Sequence, residues 1–197
     1  MPRQGSFLFR PQGSILFCPK GSVPRAPRGQ THAPFPIVMK DLELKEYRFH
    51  QPYLHLSIII PKRIMSHIID DAFSEKVYEQ GGFLIGNYNE NLAVIHGVVP
   101  PIRKNSSQSS FIRYTEGMQE FWNALYNDNG YIYLGEWHSH PGESANYSDI
   151  DRNTMMEISK ADSVRIRYPI FLIIGNSKES PDIRFYTVKN KIIYSYE

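Results

Sequence analysis

Two histidines, His138 and His140, stand one residue apart at the end of an apolar run, and Pro141 follows them. Seven residues separate His140 from Ser148, and two more separate Ser148 from Asp151. These are the residue types of a hydrolytic metal site. Imidazole and carboxylate are good zinc ligands, and a hydroxyl can hydrogen-bond a developing oxyanion. Two histidines and one carboxylate would leave a fourth zinc position for water, which the metal makes acidic near neutral pH. Such a hydrolase also needs a carboxylate that takes the water's proton and returns it to the leaving amine. Glu79, Glu136 and Glu143 are all eligible on their residue type.

These residues need elements that bring them together. Tyr131–Trp137 has the composition of a strand that delivers the His-Ser-His segment, and on an extended chain residues i and i+2 share a face. His138 and His140 can therefore converge, with Glu136 in phase beside them and Trp137 turned to the core. A helix starting at Ser148 and running to about Ala161 places Asp151 in its first turn. Ser148 and Asp151 also fit a helix capping box, a role that could account for both residues or coexist with chemistry. His32, His50, His55, His67 and His96 have no companions at ligand spacing and read as structural or surface residues.

Around this unit the sequence predicts a strand over 53–60 and a helix over roughly 62–77. Strands follow at 81–88 and 92–99, turning at Asn89–Asn91. Residues 103–109 read as a polar loop before a short strand, Phe111–Thr115. Met118, Phe121, Trp122, Leu125 and Tyr126 share a helical face, and Asn129-Gly130 closes that helix. Pro169–Gly175 is nearly all apolar, as in a strand covered on both faces. Ile183–Val188 and Ile192–Tyr196 form a last hairpin. About three helices among seven or eight strands give an α/β or α+β fold, a mixed sheet flanked by helices.

Composition narrows the partners. The chain has 197 residues, of which 41% are apolar and 21% charged, as in a soluble globular domain. No apolar run is long enough to span a membrane. Cys18 is the sole cysteine, so a zinc ribbon and an internal disulfide are excluded and a reducing, cytoplasmic setting is expected. Any metal must be held by His, Asp or Glu. A zinc nucleobase deaminase is excluded too, because it needs a Pro-Cys-x-x-Cys element.

Residues 1–40 differ from the rest. They hold six of the 22 Lys and Arg and no acid, leaving 16 bases against 20 acids, a net of about −4, beyond them. That balance gives no support to nucleic acid as a partner. Gly5, Gly13, Gly21 and Gly29 recur every eight residues, and half of the 14 prolines fall here. The expectation is a disordered Pro/Gly-rich octapeptide-repeat tail over 1–40, or translated sequence upstream of a true start at Met39. The folded domain is expected over 41–197.

The run His138-Ser139-His140-Pro141, continued by Ser148 and Asp151, resembles the signature of the JAMM (JAB/MPN+) metalloisopeptidases. Glu79-Gln80-Gly81-Gly82-Phe83-Leu84-Ile85-Gly86 is similar to the stretch that carries that family's catalytic glutamate, and the likeness covers about residues 53–196. The resemblance implies an MPN/JAB-type fold, with zinc held by His138, His140 and Asp151, Glu79 as general acid/base, and Ser148 as oxyanion donor. It singles out Glu79 among the three candidate glutamates. All five residues are present, unlike in MPN scaffolds that have lost catalysis. Gly135–Pro141 further resembles the bacterial branch found beside E1- and E2-like proteins in anti-phage (CBASS) operons. This implies a deubiquitinase-like isopeptidase acting on a ubiquitin-like or conjugated protein. E1- and E2-like proteins and a nucleotidyltransferase would then be operon neighbours. Other bacterial ubiquitin-like or sulfur-carrier systems are the alternative, as is a non-catalytic scaffold.

Overall fold

The protein is described by a computed structural model over residues 45–176 and 180–197. The repeat tail over 1–40 lies outside these residues. Ten strands and three α-helices follow in the order β1 (Glu46–Gln51), β2 (Leu56–Pro61), α1 (Lys62–Ala72), β3 (Gly81–Asn89), β4 (Leu92–Val99), β5 (Arg103–Ser106), β6 (Phe111–Tyr114), α2 (Gln119–Asn129), β7 (Ile132–His140), α3 (Asp149–Ile158), β8 (Ile170–Gly175), β9 (Asp182–Lys189) and β10 (Ile192–Ser195). Eight strands make one mixed sheet in the order β1-β2-β4-β3-β7-β8-β9-β10, while β5 and β6 form a separate hairpin. The expected mixed sheet with three helices is what forms. Beyond the last strand, the backbone N–H groups of His50 and Glu197 each donate to the other's carbonyl at 2.8 Å, drawing the two outer strands of the sheet together.

The alternation of side chains sorts the helices. Leu84, Leu134, Trp137, Leu172 and Ile174 face α1, whose Ile64, Met65, Ile68 and Ala72 form one buried stripe. Phe83, Ile85 and Tyr133 pack with Trp122 and Leu125 of α2, and Phe171, Ile173 and Tyr186 pack with Met155 and Ile158 of α3. Every residue of β8 is buried. It lies between β7, parallel to it, and β9, antiparallel to it. Gly130 ends α2 in the left-handed conformation at φ 70°, as the Asn-Gly closure predicted.

Several boundaries differ from the sequence expectation. The first predicted strand starts at Leu56 rather than Tyr53, because 52–55 form a tight turn with His55 at φ 53°. This turn joins β2 to β1, a strand the sequence reading did not contain. The first helix stops at Ala72 instead of 77. Part of the predicted loop over 103–109 is β5, whose polar residues pair with β6. That strand is mostly exposed and carries no apolar alternation, so periodicity gave no sign of it.

A candidate metal centre at the end of a β-α-β unit

β7, α3 and β8 form a crossover between parallel strands, an arrangement that opens a crevice at the carboxyl ends of the strands. His138 and His140 sit at that end of β7, and Asp151 in the first turn of α3 reaches back to them. His138 Nε2 lies 3.1 Å from His140 Nε2 and 3.0 Å from Asp151 Oδ1. His140 Nε2 lies 3.3 Å from Asp151 Oδ2. Four ligands at zinc distances of about 2.0–2.1 Å in a tetrahedron stand roughly 3.3 Å apart, so the spacing of this trio suits a small tetrahedral ion. Among the described residues it is the group of His, Cys, Asp and Glu able to hold a metal.

The surroundings prepare these donors. His140 Nδ1 is 3.1 Å from the Ser144 carbonyl, which can only accept, so Nδ1 carries a proton and Nε2 is the nitrogen turned to the cluster. Burial holds His138 below the usual histidine range, which favours the neutral imidazole a metal requires. Burial acts in the same sense on His140, but the hydrogen bond and charge of Asp151 outweigh it and raise its pKa. Burial tends to raise Asp151, but hydrogen bonds from both histidines overcome it and hold the carboxyl far below its ordinary range. Ser148 is exposed and caps α3. Its Oγ accepts from the Asp151 N–H at 3.2 Å and donates to Asp151 Oδ2 at 2.7 Å, and its own N–H donates to that oxygen at 2.7 Å. The capping box and the ligand cluster therefore share one carboxylate.

Glu79 is 5% exposed and lies just before β3. Burial pushes its pKa from 4.5 up to about 7, with His140 and Arg113 opposing and Asp151 and Glu143 adding to the rise. It lines a small cleft of about 40 Å³ together with His138, Asp151, Arg113, Glu136 and Phe111. Of the other two glutamates, Glu143 is exposed. Glu136 is buried and ion-paired with Arg113, each side chain 8% exposed. Burial raises the Glu136 pKa in spite of that partner. It does share a face with His138, as its phase predicted, but its partner is Arg113. His50, His55, His67 and His96 lie outside the cluster.

Two local features aim this site. The register between β3 and β7 shifts where Leu84 meets Gly135 and Ile85 meets Tyr133, leaving Leu134 as an extra residue. This bulge makes Leu134 and Trp137, three apart, face α1 together, and turns Glu136 and His138 toward α3. Gly135 sits at φ 147°, and a Cβ there would lie 1.8 Å from the Ile170 carbonyl oxygen, so only glycine fits. At Gly81 a Cβ would meet the Trp137 carbonyl oxygen at 2.4 Å and the Phe111 ring at 2.9 Å, so the Gly-Gly pair lets β3 and β6 close on β7.

Residues 61–189 match the family described as prokaryotic homologs of the JAB domain. The chain belongs to the JAB family. A curated relative within reach of this JAB domain is "CD-NTase/cGAS isopeptidase" of Enterobacter hormaechei subsp. hoffmannii (strain UCI 50). It is 26% identical over 137 residues, covering 68% of this chain and 76% of the relative. The solution structure of protein DSY2949 from Desulfitobacterium hafniense shares the fold, with a TM-score of 0.50 at 20% identity. It covers 69% of this chain and 87% of that one. The JAB membership expected from the two motifs and the bacterial branch expected from Gly135–Pro141 agree with these matches. Among the described residues of the JAB domain, no helix is long and apolar enough to cross a membrane.

The reading of the sequence gave no role to three residues of the site. Ser139, between the two histidines, is 1% exposed, and its Oγ accepts from the Gln80 N–H at 2.9 Å. Ser106 Oγ donates to the Glu79 carbonyl oxygen. Arg113 reaches Glu136 and also donates to the Trp137 carbonyl at 3.1 Å. A phase count within Phe111–Tyr114 would have put Arg113 and Phe111 on one face.

Proposed function

We propose that this chain is a zinc-dependent isopeptidase that hydrolyses the amide after the C-terminal, glycine-type tail of a ubiquitin-like or otherwise conjugated protein. The observation that carries this reading is a His-His-Asp cluster of tetrahedral spacing beside a buried glutamate whose pKa lies near 7. A zinc ion held by His138, His140 and Asp151 would supply a Lewis acid for the scissile carbonyl and acidify water near neutral pH.

The chain's own residues do the rest. Glu79 is poised close to working pH, so its carboxylate can take a proton from the attacking water and then deliver it to the departing amine. That transfer turns a poor leaving group into a neutral amine. Ser148 Oγ, 2.7 Å from Asp151 Oδ2, can rotate its proton away from that carboxylate toward an oxyanion. β6 pairs with β5 on one side, which leaves an edge where an extended tail could add as a further strand.

The name of the Enterobacter relative, CD-NTase/cGAS isopeptidase, supports isopeptidase activity linked to a nucleotidyltransferase. We extend it to a cytoplasmic, anti-phage (CBASS) setting in which E1- and E2-like neighbours make the conjugate. The test is cleavage of such a conjugate by the purified chain. We expect o-phenanthroline to abolish it, zinc to restore it, and Glu79→Gln to bind zinc without turnover. Cleavage that survives chelation, or full activity of Glu79→Gln, would overturn the assignment. Tight binding of the conjugate with no cleavage under any metal would instead mark a docking scaffold.

A further inference from the structure

The β5–β6 hairpin is the least supported part of the described fold. Its residues are exposed or half-buried, and neither strand packs broadly on any element but the other. Its fastenings to the rest of the molecule are few and gather around one residue. The Glu79 N–H donates to the Ser107 carbonyl at 2.9 Å, and Ser106 Oγ donates to the Glu79 carbonyl. Lys104 Nζ donates to Gln80 Oε1 at 2.6 Å. On its other side the same segment is tied to β7, where Gln80 N–H donates to Ser139 Oγ at 2.9 Å and Ser139 N–H to the Gln80 carbonyl at 2.8 Å. The backbone of residues 79–80 is thus bracketed between the hairpin and the His-Ser-His strand.

The hairpin is itself pinned to that strand by Arg113. Its guanidinium makes two contacts on β7, one to the Glu136 carboxylate and one to the Trp137 carbonyl, and both charged side chains are 8% exposed. Planar two-point recognition of this kind fixes orientation as well as distance, which a lysine cannot do. Phe111, in phase with Arg113, lies over Gly81 and closes the bracket from above.

We infer that Arg113 is a positioning residue that acts through the hairpin, locking β6 to β7 so that Ser106 and Ser107 hold the backbone of Glu79 in place beside the metal ligands. The Glu79 carboxyl is then aimed by its clamped backbone from both sides. A tail that adds to β6 would load the same clamp. This inference rests on the isopeptidase reading for its kinetic consequence, while its structural consequence can be measured without activity.

The test uses the full chain loaded with zinc and two kinds of variant. Arg113→Met/Glu136→Gln removes both buried charges together and keeps volume, which such pairs usually tolerate. Ser106→Ala leaves the ion pair intact and removes one bond to Glu79. Amide hydrogen exchange, read residue by residue, should show Glu79 exchanging about tenfold faster in the double variant, with Leu172 and Ile173 in β8 unchanged. The kinetic probe is a glycine-ended tail peptide joined through an isopeptide bond to lysine. On it Ser106→Ala should lower kcat about fivefold at unchanged KM, as expected when geometry rather than binding is lost. Arg113→Lys, which keeps the charge but not the two-point fork, should also exchange the Glu79 amide faster than the parent. A Glu79 amide as protected in the double variant as in the parent would overturn the inference. So would a Ser106→Ala variant altered in KM alone. Should the parent fail to cleave the probe, the isopeptidase reading fails, and the exchange data still decide the clamp.

Discussion

Replacing Glu79 by glutamine should stabilise the metal-free protein at high pH and leave its stability unchanged at low pH. Burial raises the Glu79 pKa from 4.5 to about 7, so the folded chain holds this proton over a range where the unfolded chain has released it. A group raised in this way favours folding most fully below its unfolded pKa, and that contribution is lost as pH climbs through the folded value. The gap corresponds to roughly 3 kcal/mol at most. Water reaches the cleft and screens the charge, so we expect about 2 kcal/mol. Glutamine is neutral throughout and mimics the protonated acid. Urea unfolding of both proteins in chelator should give matching midpoints near about pH 4 and a glutamine advantage of about 2 kcal/mol by about pH 9. Adding zinc should shrink that advantage, because the ion's charge favours the carboxylate. Two stability profiles that run parallel across the whole range would refute the idea that burial governs this carboxyl.

Asp151→Ala should reduce zinc from about one ion per chain to almost none by metal analysis, and also cost about 1 kcal/mol through the lost cap of α3. Ser148→Ala should keep its zinc, lose about 1 kcal/mol in thermal unfolding, and slow kcat by roughly 10²-fold if the hydroxyl serves the oxyanion. Gly81→Ala should destabilise by about 1–3 kcal/mol or more in urea, because its methyl would meet the Trp137 carbonyl and the Phe111 ring. Glu143→Gln changes an exposed loop charge, and kcat/KM within about twofold of the parent would separate it from Glu79.

The parts of the molecule legible in sequence are those whose physics is local. The α3 capping box, the Asn129-Gly130 helix end and the all-apolar β8 are each written in a few adjacent residues, and all three formed as read. His138, His140 and Asp151 converge because a strand and a helix start are both predictable and a β-α-β crossover joins them. Glu79 was different. Its residue type matched that of Glu136 and Glu143, and the choice rests on resemblance; both Glu79 and Glu136 line the cleft, and Glu136 is paired with Arg113. That pairing joins residues from β6 and β7, and β5 is held by pairing rather than by an apolar face. Both depend on contacts distant in sequence, which periodicity within one segment cannot report. β1 was missed for a similar reason, since its Tyr47 and His50 are exposed and its pattern barely alternates.

The extra residue at Leu134 makes β7 a strand with a change of parity partway along. Before it, odd positions face α2 and even positions face α1. After it, the even positions Glu136 and His138 face the cleft. Straightening the Leu134-Gly135 step into plain pairing, with every residue kept, would leave β7 in the same place in the sheet and keep the two-residue repeat downstream. It would nonetheless turn both histidines into the apolar layer under α1 and present Trp137 to the cleft. Placing a site by strand alternation therefore demands a count as well as a pattern, and a designer grafting this His-x-His segment onto another sheet would have to carry the glycine step with it.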